Sequence, residues 1–121
     1  MSKPSVAALD AQAKALLPLS PVVLHVLLAL ADRHRHGLGI AEQVGAITGG
    51  HLTLGPGTLY GAIKRLLELD MVADTDEAPD DDRADPRRRY YRLTPLGRRA
   101  LELESAQWAA VVKVARAKRV L

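Results

Sequence analysis

The chain has no cysteine and no phenylalanine, and it carries one tryptophan and three tyrosines among 121 residues. Without cysteine, neither a disulfide nor a thiolate metal site can form, which fits a reducing compartment. With so few aromatics the core must be aliphatic, and hydrophobic residues make up 48% of the chain, enough to build one. Long apolar runs are missing as well. The longest, residues 21–31, contains His25 and is far too short to span a bilayer. Asp10 and Lys14 interrupt the unbroken apolar core that an export signal needs. A cytoplasmic protein with no membrane partner is the expectation. No nucleophile–base pair, phosphate-cradling glycine loop or paired carboxylates in a cleft context can be found, so neither an enzyme nor a cofactor is expected.

Charge of one sign is concentrated in a single place. Residues 74–85 hold seven acids (Asp74, Asp76, Glu77, Asp80, Asp81, Asp82 and Asp85) against Arg83 alone. The rest of the chain keeps 16 of the 17 bases and the other seven of the 14 acids, a net +9. A basic body with one acidic loop suggests a polyanionic partner. Asp80 to Asp82 lack the spaced ligands and turn glycine of a divalent-ion loop. His34 and His36 are spaced wrongly for a helical metal pair. At the end of a helix they are expected to complement its C-terminal dipole, and no metal site is expected.

Periodicity gives the order of elements. Val6, Leu9, Ala13 and Leu16 form one apolar stripe, ended by Pro18. Ser20–Pro21 reads as a cap and first-turn proline for a helix over about 21–35, apolar on nearly all sides and therefore central to the core. Gly37 is expected to close it. A short helix over 39–48, stopped by Gly49–Gly50, precedes a third from about Pro56 to Asp70. Two β-prone stretches, 71–75 and 88–93, flank the acidic loop, and Thr94–Pro95 opens a last helix running toward Leu121. The pair at 39–48 and 56–70, joined by a Gly-containing turn, has the helix-turn-helix pattern, and the hairpin behind it is a wing. The chain thus reads as mostly α with a two-stranded β-wing. Residues 1–17 form an N-terminal helix, 18–94 a winged helix-turn-helix domain, and 95–121 a C-terminal dimerisation helix.

On a wheel at 100° per residue, Leu59, Ala62, Ile63, Leu66 and Leu67 share one side of the third helix. Gly57, Tyr60, Gly61, Lys64 and Glu68 share the other. Glycines on an exposed helix face cost roughly 1 kcal/mol each against alanine. Close approach to a duplex would offset that cost, and the free N–H groups of a helix N-terminus attract phosphate. In the second strand, Arg88, Tyr90 and Arg92 alternate with Arg89, Tyr91 and Leu93. One tyrosine is expected to pack on the core while the arginines reach for a backbone, a task suited to their forked donors. The candidate DNA contacts are Thr53, Gly55, Pro56, Gly57, Thr58, Tyr60, Gly61, Lys64, Arg87, Arg88 and Arg89.

The stretch Gly57–Thr58–Leu59–Tyr60, then Ile63 and Leu66, then Arg89–Tyr90–Tyr91–Arg92–Leu93–Thr94 with Gly97, resembles the PadR family of transcriptional regulators over about residues 20–98. The resemblance implies a winged-helix dimer that binds operator DNA, usually as a repressor, with an effector relieving repression in some members. The chain departs from the family pattern at four places: Leu38 for an aromatic, Gly55 for a capping Ser, Asp70 for a Gly, and an acidic wing tip. Asp tolerates the left-handed turn that Gly would make there. The acidic tip places DNA contact on the arginine arm of the wing and not on its loop.

The last helix carries two apolar stripes. Leu96, Ala100, Leu103, Ala110, Val111, Val114 and Leu121 form one; Leu101, Trp108, Val112 and Ala115 form the other, about 130° away. A small body cannot bury both, so the second is expected to meet a second copy of the chain in a homodimer. Trp108 is a candidate to line a pocket at that seam for a planar apolar effector. A reading from another class is a winged-helix module that binds protein in place of DNA. The basic, glycine-bearing face of the third helix argues for DNA.

Overall fold

A computed structural model describes residues 5–77 and 89–121. Each of the first two helices starts where a serine replaces the missing intrahelical acceptor. Helix α1 (Val6–Ala15) is capped by Ser5, whose hydroxyl accepts from the Ala8 N–H at 3.1 Å. Helix α2 (Pro21–Ala29) is capped by Ser20, which accepts from the Val23 N–H at 3.2 Å, with Pro21 opening its first turn. Strand β1 (Arg35–His36) leads directly into helix α3 (Gly37–Ile47). Helix α4 (Pro56–Glu68), strands β2 (Val72–Thr75) and β3 (Tyr90–Leu93), and helix α5 (Pro95–Ala117) follow. Among the described residues, no helix is long and apolar enough to cross a membrane.

The aliphatic core is centred on α2, which buries Leu24, Val26, Leu27 and Ala29. Ile40 and Val44 of α3, Leu59, Ile63 and Leu66 of α4, and Ala100 and Leu101 of α5 close around it. Removing each of these leucine, isoleucine and valine side chains from water contributes about 1.5–3 kcal/mol. That gain holds the short helices, which would be marginal alone, in place.

Two expectations for the segment after α2 are corrected. The helix ends at Ala29 and not near residue 35, and Gly37 opens α3 and closes nothing. His34 and His36 therefore do not sit at a helix C-terminus. His36 is the N-cap of α3, its Nδ1 accepting from the Gly39 N–H at 3.0 Å. His34 Nδ1 lies 3.1 Å from the Glu77 carbonyl oxygen. Arg35–His36 joins the wing as a third antiparallel strand, in the order β1-β3-β2, with Arg35 opposite Tyr91 and His36 opposite Tyr90. This added strand explains why both tyrosines are buried, where one was expected to be. Tyr91 packs into the core and Tyr90 meets the edge of the His36 ring, centroids 5.6 Å apart. Burial also pushes the Tyr91 phenol above its ordinary pKa.

Helix α5 has two parts. Its first turns bury Gly97, Ala100, Leu101 and Glu104; from Ser105 onward only Ala115 is even partly covered. It ends at Ala117, short of the chain terminus. α1 packs on it, and Arg99 Nε donates to Asp10 Oδ1 at 2.6 Å. Glu104 had not been singled out in the sequence. Buried at 7% exposure, its Oε2 accepts from the Leu19 N–H at 2.8 Å and so ties the α1–α2 connection to α5.

Candidate nucleic-acid interface

The helix-turn-helix is set by the chemistry of its turn. Gly49 and Gly50 take φ of +60° and +84°, left-handed values that glycine adopts without a Cβ clash. The Gly50 N–H reaches back to the Gly45 carbonyl at 2.9 Å. Thr48 Oγ1 donates to the Val44 carbonyl at 2.8 Å and accepts from the Leu52 N–H at 3.1 Å, binding the end of α3 to the chain leading into α4. Leu52 and Leu54 pack against the core, while Thr53 between them is exposed.

α4 begins at Gly55, which has no side chain to cap the helix; Pro56 occupies the first turn. Its first-turn N–H groups consequently lack a side-chain acceptor and carry the positive end of the helix dipole into solvent. Leu59, Ile63 and Leu66 are buried on one side. Gly55, Pro56, Gly57, Thr58, Gly61 and Lys64 are all exposed on the rest. A Cβ added at Gly57 or Gly61 would meet nothing within 4 Å, so packing inside the chain does not demand glycine at either position. Lys64 has no ion-pair partner among the described residues.

Tyr60 stands at the margin of this face. Half of its surface is exposed, yet its ring lies against the backbone of Gly37 at the start of α3. Of the three wing arginines named as DNA contacts, Arg89 is described. Its Nη2 donates to Asp74 Oδ2 on β2 at 2.9 Å, so an acid already compensates its charge. Arg87, Arg88 and most of the acidic loop lie outside the described residues. On the last helix, Leu101 is 6% exposed and shares the buried cluster with Ala13 of α1, so the free stripe starts at Trp108. There Trp108 is 50% exposed, Val112 38% and Val111 64%, with Ala115 partly covered. Ala110, Val111 and Val114 of the other stripe are exposed as well, and no described element of the protomer covers them.

The family profile of the PadR-like transcriptional regulators matches residues 24–103, which take in both helices of the helix-turn-helix, the wing and the buried start of α5. The chain belongs to the PadR-like family of transcriptional regulators. It is a transcription regulator and not an enzyme. It is 38% identical over 80 residues to transcriptional regulator Rv3488 of Mycobacterium tuberculosis, covering 66% of this chain and 68% of that protein. It is 39% identical over 84 residues to an uncharacterized 37.1 kDa protein in transposon TN4556 of Streptomyces fradiae, covering 69% of this chain. The match spans 22% of that longer protein. Among solved structures, a PadR family transcription regulator from Clostridium difficile superposes with a TM-score of 0.66 at 26% identity, covering 80% of this chain and 96% of the other. A transcriptional regulator from Clostridium thermocellum shares the fold, with a TM-score of 0.63 at 23% identity, covering 82% and 96%. As a PadR-like regulator the chain acts on DNA, and the winged-helix architecture expected from its element order is the one it adopts.

Proposed function

We propose that this PadR-like regulator is a repressor that binds a roughly palindromic operator as a homodimer, working in the cytoplasm. One observation carries the reading: the exposed face of α4 bears Gly57 and Gly61 with open space where a Cβ would stand. Each glycine costs a helix about 1 kcal/mol against alanine. A cost with no internal benefit is offset by a partner that must come within a Cβ's reach of the backbone. A duplex major groove supplies such a partner, with its phosphates near the uncapped helix start and Lys64.

Dimerisation is supported by the outer part of α5. About 20 Å of helix beyond Glu104, at ~1.5 Å per residue, presents Trp108, Val111, Val112 and Val114 uncovered. A second copy packing there by two-fold symmetry would bury this stripe on both chains. The two α4 helices would then lie about 34–36 Å apart, one duplex turn. A planar apolar effector seated beside Trp108 would change that spacing and weaken operator binding by the roughly 5–150-fold typical of allosteric coupling.

Selection of bound sequences from a random DNA pool tests the function. A two-fold symmetric site with half-sites one turn apart is the expected result. Recovery of no preferred sequence would count against it. Titration of planar aromatic compounds tests the effector through the fluorescence of Trp108, the only tryptophan. Quenching that accompanies loss of operator affinity is expected; quenching without that loss would remove the effector from the scheme.

A further inference from the structure

A cavity of about 340 Å³ lies between the α1–α2 connection and the C-terminal half of α4, remote in sequence from the Trp108 stripe. Its walls include Leu16, Leu19, Val23, Leu66, Leu69 and Met71, all aliphatic or thioether side chains; no aromatic lines it. One charged residue takes part, Arg65 of α4. Arg65 has no ion-pair partner among the described residues, as is also true of Arg92, Arg98, Arg116 and Arg119, but of these it alone lines this cavity. Ser20 also lines the cavity, at the positive end of α2.

We propose that this cavity binds a medium-chain aliphatic carboxylic acid, its carboxylate on Arg65 and its chain among the aliphatic walls. Size supports the assignment: an engineered apolar cavity of about 150 Å³ accepts a benzene. This one has roughly twice that volume, within the range of ordinary ligand sites. The wall chemistry selects a flexible alkyl chain, since no aromatic face is present for a flat ring to stack on. An unpaired guanidinium at an apolar site favours a carboxylate, which accepts from its two parallel donors.

The location gives the site a regulatory meaning. Arg65 and Leu66 belong to α4, one residue past Lys64, and Leu69 is its C-cap. Occupancy would press on α4 within a single protomer and need no change at the dimer seam. A ligand can shift the DNA-binding equilibrium only by its differential affinity for the free and DNA-bound conformations. Binding itself does not require the operator reading to be right, so failure of either is seen separately.

Octanoate, with 1-octanol as its uncharged counterpart, provides the test on the full-length protein. Isothermal titration should show saturable octanoate binding, about fourfold tighter for each methylene added between hexanoate and octanoate. Arg65→Ala, on an exposed position, should weaken octanoate by about tenfold, the scale of one charge-assisted contact, and leave octanol unchanged. Leu69→Trp should abolish both by filling the space, with far-ultraviolet circular dichroism confirming the fold. Should that variant unfold, Arg65→Glu gives the decision through loss of octanoate alone. No saturable octanoate binding would overturn the proposal. So would binding that Arg65→Ala and Arg65→Glu both leave intact, or binding that quenches Trp108, which does not line this cavity.

Discussion

The ring of Tyr60 on α4 lies over the backbone of Gly37 at the start of α3, so close that a Cβ there would fall 2.6 Å from the tyrosine oxygen. The residue that precedes Gly37, His36, caps α3 and meets Tyr90 of the wing. Tyr60 thus sits where α4, the start of α3 and the base of the wing come together. Gly37→Ala should push the ring outward rather than unfold the chain, because half of Tyr60 is already in solvent. The expected change in stability is about 1 kcal/mol or less. Operator affinity should fall roughly tenfold, about 1.4 kcal/mol, since the ring would enter the space meant for DNA. Gel-shift titration together with urea unfolding checks both; loss of stability without loss of affinity would show that the contact only supports the fold.

Gly97 presents the opposite case. A Cβ there would run into the Met71 carbonyl, which is backbone and cannot swing aside. Thr94 Oγ1 accepts from the Gly97 N–H at 3.0 Å and also donates to the Asp70 carbonyl, fixing the start of α5 against β2. Gly97→Ala should cost about 3 kcal/mol, at the upper end of overpacking changes. Chemical denaturation would measure it, and a midpoint within error of the parent would contradict the packing described.

The Asp10–Arg99 pair joins α1 to α5 and titrates. The Arg99 guanidinium beside Asp10 holds its carboxyl below the usual carboxylate range. A lowered folded pKa means stability that is present above the unfolded value of about 3.9 and lost as pH falls through the lowered folded value. Asp10→Asn should therefore be less stable than the parent at neutral pH, with the difference shrinking as the solution is acidified below about pH 4. Thermal melts from pH 7 to pH 3 follow this. Both groups are partly exposed, so salt should narrow the difference too.

Much of this was readable from residue patterns, because local signals and tertiary demands agree. Ser20–Pro21 and Thr94–Pro95 mark helix starts, and the all-round apolar helix occupies the middle of the core. Asp70 takes φ of +59°, the left-handed turn for which glycine would be the easier residue. What escaped depends on contacts distant in sequence. Strand β1 is two residues long and exists only because Tyr90 and Tyr91 pair with it from 54 and 56 residues away in the chain. Leu101 looked like an interface residue on a helical wheel, but it belongs to the buried core of the protomer, and a wheel drawn for one helix does not include its neighbours. Tyr60 falls next to Leu67 on the wheel, at the edge of the apolar side. That position was the one available sign that it would pack as well as face outward. The partner of Glu104 is a backbone N–H 85 residues away, which leaves no local trace.

The outer stripe of α5 predicts the oligomeric state. Val111→Lys and Val112→Lys together place two charges on the uncovered surface and bury none in the protomer. Sedimentation should show the parent as a dimer at micromolar concentration and the double variant as a monomer with unchanged helix content. A parent that sediments as a monomer would remove the two-fold arrangement.

DNA contact by α4 is tested most directly by the salt dependence of operator affinity in Lys64→Ala. Lys64 is exposed and unpaired, so its replacement should leave the fold intact and remove one phosphate contact. The slope of log affinity against log salt should become shallower by about 0.9, with weaker binding at low salt. Arg88→Ala should behave alike, and Asp81→Ala should not. If Lys64→Ala leaves both affinity and slope where the parent has them, α4 is not the surface that meets DNA.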